Sequence, residues 1–341
     1  MRPASVKPPR LAGKSRGSGV LRLDPAVLAP FRSRPELGPP SIPAPASAPH
    51  GRVRLIANAS SAIVLMSGAS AEDLSLMLVS AFDGSGARVL DSESCTDADS
   101  GYLFQRIHAD ISRVPGGAST LERRLSEAAR QRGLTLELER SEKKKRVAIF
   151  VSKFDHCLYD LLLRQQTGEL DCEIPVVVSN HPNLERVAGQ FGVEYAMIEK
   201  TRENKLDAEE REFALLEQHD VDLVVLARYM QVLSNSFVSR WEGRVINIHH
   251  SFLPAFVGAR PYHQARERGV KLIGATAHYA SATLDEGPII EQDVARCTHK
   301  DTPEDLVRKG RDLERQVLAR AVSWHLTNRV IVHGNRTVVF D

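Results

Sequence analysis

The sequence predicts a two-domain α/β protein, in which a small βαββαβ unit precedes a larger, mostly parallel sheet covered by helices. Three observations predict this fold class. The chain has 341 residues, more than one domain usually contains. A run of four cations at positions 143–146 separates two regions of regular pattern. Beyond that run, strands that are apolar throughout alternate with helices, as in a parallel sheet buried on both faces.

Composition and charge narrow the function classes. The hydrophobic fraction of 42% suits a soluble globular protein, and the net charge of +2 leaves no large cationic surplus for nucleic acid or acidic membranes. No apolar run approaches the roughly 20 residues that cross a bilayer. The four cysteines are scattered, which predicts reduced thiols: Cys95, Cys157, Cys172 and Cys297. We therefore expect a soluble, cytoplasmic protein that binds neither nucleic acid nor membrane.

Residues 1–52 are predicted to be a disordered leader. Pro, Ala, Ser and Arg dominate this segment, and only Asp24 and Glu36 are acidic, so it cannot bury enough apolar surface to fold. An Arg-rich leader can also be an organellar transit peptide, which is the alternative. The five prolines between positions 39 and 49 disfavour the amphipathic helix of such peptides.

Residues 53–140 are predicted to form the βαββαβ unit. Apolar runs and helical spacing place strands at 62–66, 88–92, 101–107 and 134–138, and helices at 71–82 and around 121–128. This order is the ferredoxin-like unit, and the segment resembles an ACT domain, a regulatory module that often binds amino acids at subunit interfaces. The resemblance implies either an amino-acid effector site or a packing and oligomerisation module in a homo-oligomer. The loop at 67–73 lacks the Asp-Arg-Pro-Gly-like turn that receives the ligand in relatives, which favours the second.

Residues 141–146 are interpreted as a solvated linker rather than a localisation signal. Residues 147–341 are then predicted to form a Rossmann-like sheet. Its strands are expected at 147–151, 175–178, 194–198, 221–227, 244–248 and 272–279, its helices at 157–165, 184–192 and 208–219, and a last strand at 330–340. Such sheets bind ligands beyond the carboxyl ends of their strands.

Three side chains at those strand ends suggest chemistry on a carbonyl group. Asn247 and His249 are two residues apart on an extended segment, so both project from the same face of the strand. Asp285 lies in a loop just before Gly287 and Pro288, from where its carboxylate could orient an imidazole. The three groups suit attack on a formyl carbon.

The motif around these residues resembles the folate-dependent formyltransferase family. The resemblance covers 147–341 and rests on Asn-x-His at 247–249, Ser-x-Leu-Pro at 251–254 and Leu-Asp-x-Gly at 284–287. It implies that Asn247 stabilises the oxyanion, that His249 assists proton transfer, and that Asp285 pairs with His249 and orders a water. It also implies that the folate lies along a loop at 280–285, which includes Leu284, and along a second loop formed by Arg228, Tyr229, Met230, Gln231, Val232 and Leu233.

The first strand-to-helix turn indicates whether the acceptor of the formyl group carries a phosphate. A phosphate-bearing acceptor needs a glycine-rich turn there, whereas 151–158 contains no glycine and Asp155 would repel the phosphate. This turn resembles that of formyltetrahydrofolate deformylases, as do 258–263, 285–290 and the preceding ACT-like unit. The resemblance implies hydrolysis of 10-formyltetrahydrofolate to formate and tetrahydrofolate, which would supply formate for one-carbon and purine metabolism.

Two other functions stay open. One is transfer of the formyl group to an amine such as glycinamide ribonucleotide, and the other is a non-catalytic folate sensor. We expect no cofactor and no metal, because His249, His250, His263 and His278 include no His-x-x-x-His pair. Arg260 and Lys153 could either grip a folate carboxylate or lie on the surface.

Overall fold

The computed structural model describes residues 51–140, 144–254 and 261–341. The predicted leader lies outside these ranges except for its last two residues, and so do 141–143 of the predicted linker and the motif residues 258–260. Each of the two domains begins two residues before its predicted start, at 51 rather than 53 and at 145 rather than 147. Gly51 already begins the first strand, and Lys145 begins the first strand of the larger sheet.

The N-terminal part contains the predicted βαββαβ order and one strand more. Its elements are β1 (Gly51–Ala57), β2 (Ser61–Gly68), α1 (Ala71–Phe82), β3 (Arg88–Thr96), β4 (Leu103–Asp110), α2 (Ala118–Gln131) and β5 (Thr135–Arg140). The sheet order is β3-β4-β2-β1-β5. The unpredicted β1 therefore lies between the first and last strands of the ferredoxin-like unit, antiparallel to β2 and parallel to β5.

The alternation of side chains along β1 explains its position. Val53 and Leu55 are buried, whereas Arg52 and Arg54, which precede them in turn, are exposed. This period of two gives the strand one apolar face, which joins the core formed by α1 and α2 against the sheet. The strand was missed because arginines interrupt its apolar residues and it follows directly on the proline-rich segment.

The larger part is built around a seven-stranded sheet. Its elements are β6 (Lys145–Val151), α3 (His156–Gln166), β7 (Cys172–Ser179), α4 (Glu185–Gln190), β8 (Glu194–Met197), α5 (Lys205–Gln218), β9 (Leu223–Leu226), α6 (Asn235–Arg240), β10 (Val245–His249), α7 (Pro261–Glu267), β11 (Leu272–Tyr279), β12 (Ile289–Arg296), α8 (Pro303–Leu326), β13 (Val330–His333) and β14 (Arg336–Val339).

The strand order confirms the predicted Rossmann-like, mostly parallel sheet. It reads β12-β11-β10-β9-β6-β7-β8, and the strands β6 to β10 are parallel to one another. Strand β11 is antiparallel to β10, and β12 is antiparallel to β11. The order reverses between β6 and β9, and at this switch point a crevice opens beyond the strand ends. The segment at 330–340 is a hairpin of β13 and β14 rather than one strand, because Gly334 turns the chain with a φ of 59°.

Helix α8 was not predicted, although it is the longest helix described, with 24 residues. A capping box opens it, in which Thr302 and Asp305 each bond the other's backbone N–H. It packs against α3, β10, β11 and β12, so its buried face forms one wall of the crevice. None of the helices in the described ranges is long and apolar enough to span a membrane.

The two sheets contact each other through side chains near the C-terminal hairpin. Arg106 on β4 donates from Nε to the carbonyl oxygen of Asn328 at 3.2 Å, and Arg336 pairs with Asp97 at 2.9 Å. The rings of Tyr102 and His333 lie 4.6 Å apart. The hairpin therefore links the N-terminal sheet to the end of α8.

Replacing Leu55 by Ala tests the packing of β1. Leu55 is 1% exposed, and removing a buried leucine side chain costs about 2–5 kcal/mol. We expect the free energy of unfolding of the N-terminal sheet, measured with denaturant, to fall by that amount. The exposed Arg52→Ala on the same strand is the control and should stay within about 0.5 kcal/mol of wild type. Equal stability of the two variants would contradict a core role for β1.

Candidate active site

A cleft of about 1010 Å³ opens at the carboxyl ends of β6, β9 and β10. A cleft of this size at the switch point of a parallel sheet is where a ligand is expected. The structure brings every predicted site residue to it: Arg228, Tyr229, Met230, Gln231, Val232, Leu233, Asn247, His249, Leu284 and Asp285. Their grouping is observed, while their roles stay predictions.

Asn247 and His249 lie at the end of β10, as their spacing predicted. Asn247 is half-buried and His249 is buried. The register with β11 places His278 opposite Asn247, and Asn247 Nδ2 lies 3.1 Å from His278 Nε2. Because Nδ1 of His278 faces the carbonyl oxygen of Tyr279 at 2.9 Å, that nitrogen is the donor and Nε2 accepts from the amide. His278 therefore fixes the orientation of Asn247.

Asp285 contacts His249 at the ring nitrogen Nδ1. Its Oδ2 lies 3.3 Å from His249 Nδ1, and its Oδ1 lies 3.8 Å from His278 Nε2. Burial alone would raise the pKa of Asp285, but the interactions with His249, chiefly its hydrogen bond, outweigh it and hold the pKa well below its usual range. The ionised carboxylate can only accept, so His249 Nδ1 carries the proton.

The other ring nitrogen of His249 is left for a ligand. His249 Nε2 is buried and has no hydrogen-bond partner among the residues in the described ranges. When the ring is neutral, its one proton lies on Nδ1 beside Asp285, and Nε2 presents a lone pair. The arrangement can accept a proton from a water or a substrate in the cleft.

A glycine lets the Asp285 loop approach the end of β11. A Cβ atom at Gly287 would lie 1.8 Å from the carbonyl oxygen of Tyr279 and 3.3 Å from His278 Nδ1. The backbone N–H of Tyr279 donates to the carbonyl oxygen of Pro288 at 2.9 Å, which closes the loop. Asp285 itself has a φ of 59°, a conformation that costs energy outside glycine.

Buried polar groups hold the loop from Arg228 to Leu233. The N–H of Met230 donates to Ser152 Oγ at 3.0 Å, and that hydroxyl donates to Asn180 Oδ1 at 2.7 Å. The Tyr229 hydroxyl donates to Glu212 Oε1 at 2.9 Å, and Glu212 also pairs with Lys200 at 2.8 Å. Burial raises the pKa of Glu212, although Lys200 opposes that shift.

Apolar side chains of the cleft remain open to a ligand. Met230 is 56% exposed, Val232 55% and Leu284 61%. All three lie on the predicted folate loops, and exposed apolar groups inside a cleft are suited to an aromatic ligand. These contacts would bind a ring system without requiring charge.

Sequence reasoning missed Glu314, a carboxylate in the cleft wall that is 1% exposed. It accepts from His156 Nε2 at 2.7 Å, from Arg228 Nη1 at 3.2 Å and from the Tyr262 hydroxyl at 2.8 Å. Burial would raise the pKa of Glu314, but the hydrogen bond from His156 and the charge of Arg228 lower it below its usual value. Arg228 therefore bonds Glu314 through Nη1.

One group in the described ranges has the spacing of a metal site. Donor atoms of His156, Cys157 and Glu314 lie within 4.8 Å of one another. Both oxygens of Glu314 already accept hydrogen bonds, and Arg228 would repel a cation beside them. Burial also raises the pKa of the Cys157 thiol well above its usual value, which disfavours the thiolate that binds metal. The donor set does not fit a metal ion.

Replacing Gly287 by Ala tests the close approach of the Asp285 loop. The added Cβ forces the loop away from Tyr279, and such overpacking costs about 1–3 kcal/mol. We expect the free energy of unfolding, measured with denaturant, to fall by this amount. Gly189→Ala is the matched control, because nothing lies within 4 Å of its Cβ position in α4 and alanine favours a helix. Wild-type stability of Gly287→Ala would contradict the geometry.

Comparisons with known proteins identify the family of the chain. Residues 145–322 match the formyl transferase family. The chain is 52% identical over 252 residues to the formyltetrahydrofolate deformylase of Synechocystis sp., a match that covers 74% of this chain and 88% of the relative. It is 48% identical over 257 residues to that of Bacillus subtilis, covering 75% and 86%.

Solved structures separate two groups of relatives. A formyltetrahydrofolate deformylase from Pseudomonas syringae pv. tomato superposes with a TM-score of 0.77 at 39% identity and covers 83% of this chain and 94% of its own. A glycinamide ribonucleotide transformylase from Symbiobacterium toebii has a TM-score of 0.54 at 30% identity and covers 58% and 95%. The deformylase match thus extends into the N-terminal sheet. The extent and identity of these matches place the chain within the formyl transferase family, as a member of its formyltetrahydrofolate deformylases.

Proposed function

We propose that the chain hydrolyses 10-formyltetrahydrofolate to formate and tetrahydrofolate, with Asn247, His249 and Asp285 as the catalytic residues. The observation that carries the proposal is the unpartnered Nε2 of His249, a residue that lines the cleft and whose other ring nitrogen is held by Asp285. The relatives named formyltetrahydrofolate deformylase support the same reaction. Water is the acceptor, because the turn at 151–158 offers no glycine to cradle the phosphate of a second substrate.

The reaction needs one attack and one proton relay. His249 Nε2 accepts a proton from a water while the water oxygen bonds to the formyl carbon. Asn247 donates from its amide to the developing oxyanion. The bond from the formyl carbon to N10 then breaks, its electron pair stays on the nitrogen, and the proton returns from His249 to that nitrogen. The formic acid that is formed releases its own proton and becomes formate.

General magnitudes indicate what each group contributes. One oxyanion donor is worth about 10²–10³ in kcat, and a positioned general base adds roughly 10²–10⁴-fold. Asp285 contributes through His249, whose proton it keeps on Nδ1. The exposed apolar side chains of Met230, Val232 and Leu284 support a pterin ring in the same cleft.

Several finer features are part of the same proposal. The formate feeds one-carbon and purine metabolism, the reaction needs no cofactor or metal, and the protein acts in the cytoplasm as a homo-oligomer. The N-terminal sheet serves as an ACT-like packing module in that oligomer. An amino-acid effector on this sheet stays a prediction.

Replacing Asn247 by Ala tests the catalytic assignment. Loss of the oxyanion donor is expected to lower kcat for formate release about 10²–10³-fold with little change in KM, because the donor acts mainly in the transition state. The exposed Asn183→Ala is the matched control and should keep wild-type kinetics. Full turnover by Asn247→Ala would overturn the scheme.

A second experiment separates hydrolysis from the alternatives. With 10-formyltetrahydrofolate and no amine present, we expect formate and tetrahydrofolate in equal amounts. Added glycinamide ribonucleotide should not change the rate of either product. Turnover that requires the amine would identify a formyltransferase, and folate binding without turnover would identify a sensor.

A further inference from the structure

One end of the cleft is polar and has no part in the proposed mechanism. We call it the polar compartment, and it is lined by His156, Arg228, His250, Tyr262, Arg311 and Glu314. The mechanism uses the His249 side of the cleft and the apolar loops that receive the folate. A hydrolase acting on one organic substrate needs no second polar pocket for an acceptor, so these side chains require another explanation.

The compartment is built at a cost in stability. Gly310 lies in the interior of α8, where glycine costs about 1 kcal/mol relative to alanine. A Cβ at Gly310 would lie 2.0 Å from the Tyr262 hydroxyl oxygen, so the glycine makes room for the tyrosine that bonds Glu314. Arg228 adopts a φ of 63°, again an unfavourable conformation outside glycine. Two local penalties therefore maintain the same cluster.

Two buried polar atoms of the compartment lack partners within the part of the chain that the structure describes. They are Nε of Arg228 and Nδ1 of His156. Both side chains use another nitrogen to bond Glu314. A buried donor without a partner is unfavourable unless a water or a ligand satisfies it. The Arg228 guanidinium also stacks on the Phe154 ring, 4.8 Å from its centroid, which fixes its position.

A charged donor in the compartment suits an anionic ligand. Arg228 and Arg311 supply two positive charges, and Glu314 supplies one negative charge. Burial, assisted by the charge of Arg228, lowers the pKa of His250 to about 4, so this ring is neutral near pH 7. Asp285 in the same cleft supplies a second negative charge, so the compartment has no net positive charge. An anion would be held by the unused Nε donor of the buried Arg228, because a charged donor favours an anionic oxygen.

We propose that Arg228 and His156 form a binding subsite for formate, the small carboxylate that hydrolysis releases in the same cleft. This inference rests on the proposed function. Arg228 Nε donates to one formate oxygen. His156 bonds Glu314 through Nε2, and its unpartnered Nδ1 is the acceptor for the proton that formic acid gives up. Formate would move to this subsite from the position where the formyl carbon reacted. Tetrahydrofolate would stay in the apolar part of the cleft.

Formate binding can be measured without turnover. The full chain is titrated with ¹³C-formate at constant ionic strength, with chloride as the balancing anion, and the formate line width is followed by NMR. We expect saturable broadening in wild type. The double variant Arg228→Met/Glu314→Gln removes the donor without leaving a buried unpaired charge, and it should weaken formate binding by at least about tenfold.

A milder pair of variants keeps the test decisive if the double variant does not fold. Arg311→Gln lowers the charge of the compartment and should weaken formate binding. Arg308→Gln is its matched control, because Arg308 lies on the same helix and is exposed like Arg311, but it pairs with Asp305 and does not line the cleft. It should bind formate as wild type does.

The outcomes for the subsite and for the function are separate. Hydrolysis by wild type without saturable formate binding, or equal binding by Arg311→Gln and Arg308→Gln, overturns the subsite and leaves the proposed function intact. Saturable binding that depends on Arg311, in a protein that does not hydrolyse the folate, supports the subsite and overturns the function.

Discussion

The contact between His249 Nδ1 and Asp285 Oδ2, 3.3 Å long, is the interaction on which the site depends. It requires β10 to end at His249, β11 to pair with it in a fixed register, and the following loop to fold back tightly at Gly287. If the strand end, the register or the loop shifts, Asp285 no longer contacts His249 Nδ1, and the proton is no longer held on that nitrogen. A backbone constraint thus determines which ring nitrogen of His249 faces the carboxylate.

Buried carboxylates hold the other residues that line the cleft in position through hydrogen bonds. Glu209 accepts from the N–H of Ser234 at 2.9 Å, Glu212 from the Tyr229 hydroxyl, and Glu314 from Arg228 and Tyr262. Burying such charges rarely adds net stability, because desolvation offsets the attraction. Their common effect is geometric, since each fixes a loop or side chain that lines the cleft. The fold therefore gives up stability to keep the cleft in one shape.

Sequence patterns predicted the centre of the site but not its surroundings. The two-residue spacing of Asn247 and His249 fixes their common face, and the Gly-Pro turn marks the Asp285 loop, so local rules suffice. Glu314 lies among charged residues on a long helix, and its sequence context looks like a solvated face. Only the packing of α8 against the sheet turns it inward. His278 likewise acquires its role from strand register, which depends on pairing between distant segments.

The central claim is that water attacks the formyl carbon beside His249. The most direct measurement is turnover of 10-formyltetrahydrofolate in ¹⁸O-labelled water, with mass spectrometry of the formate and quantification of tetrahydrofolate. The account predicts one labelled oxygen in each formate and one tetrahydrofolate per formate, with no amine present. Formate without label, or tetrahydrofolate formed without formate, would contradict it.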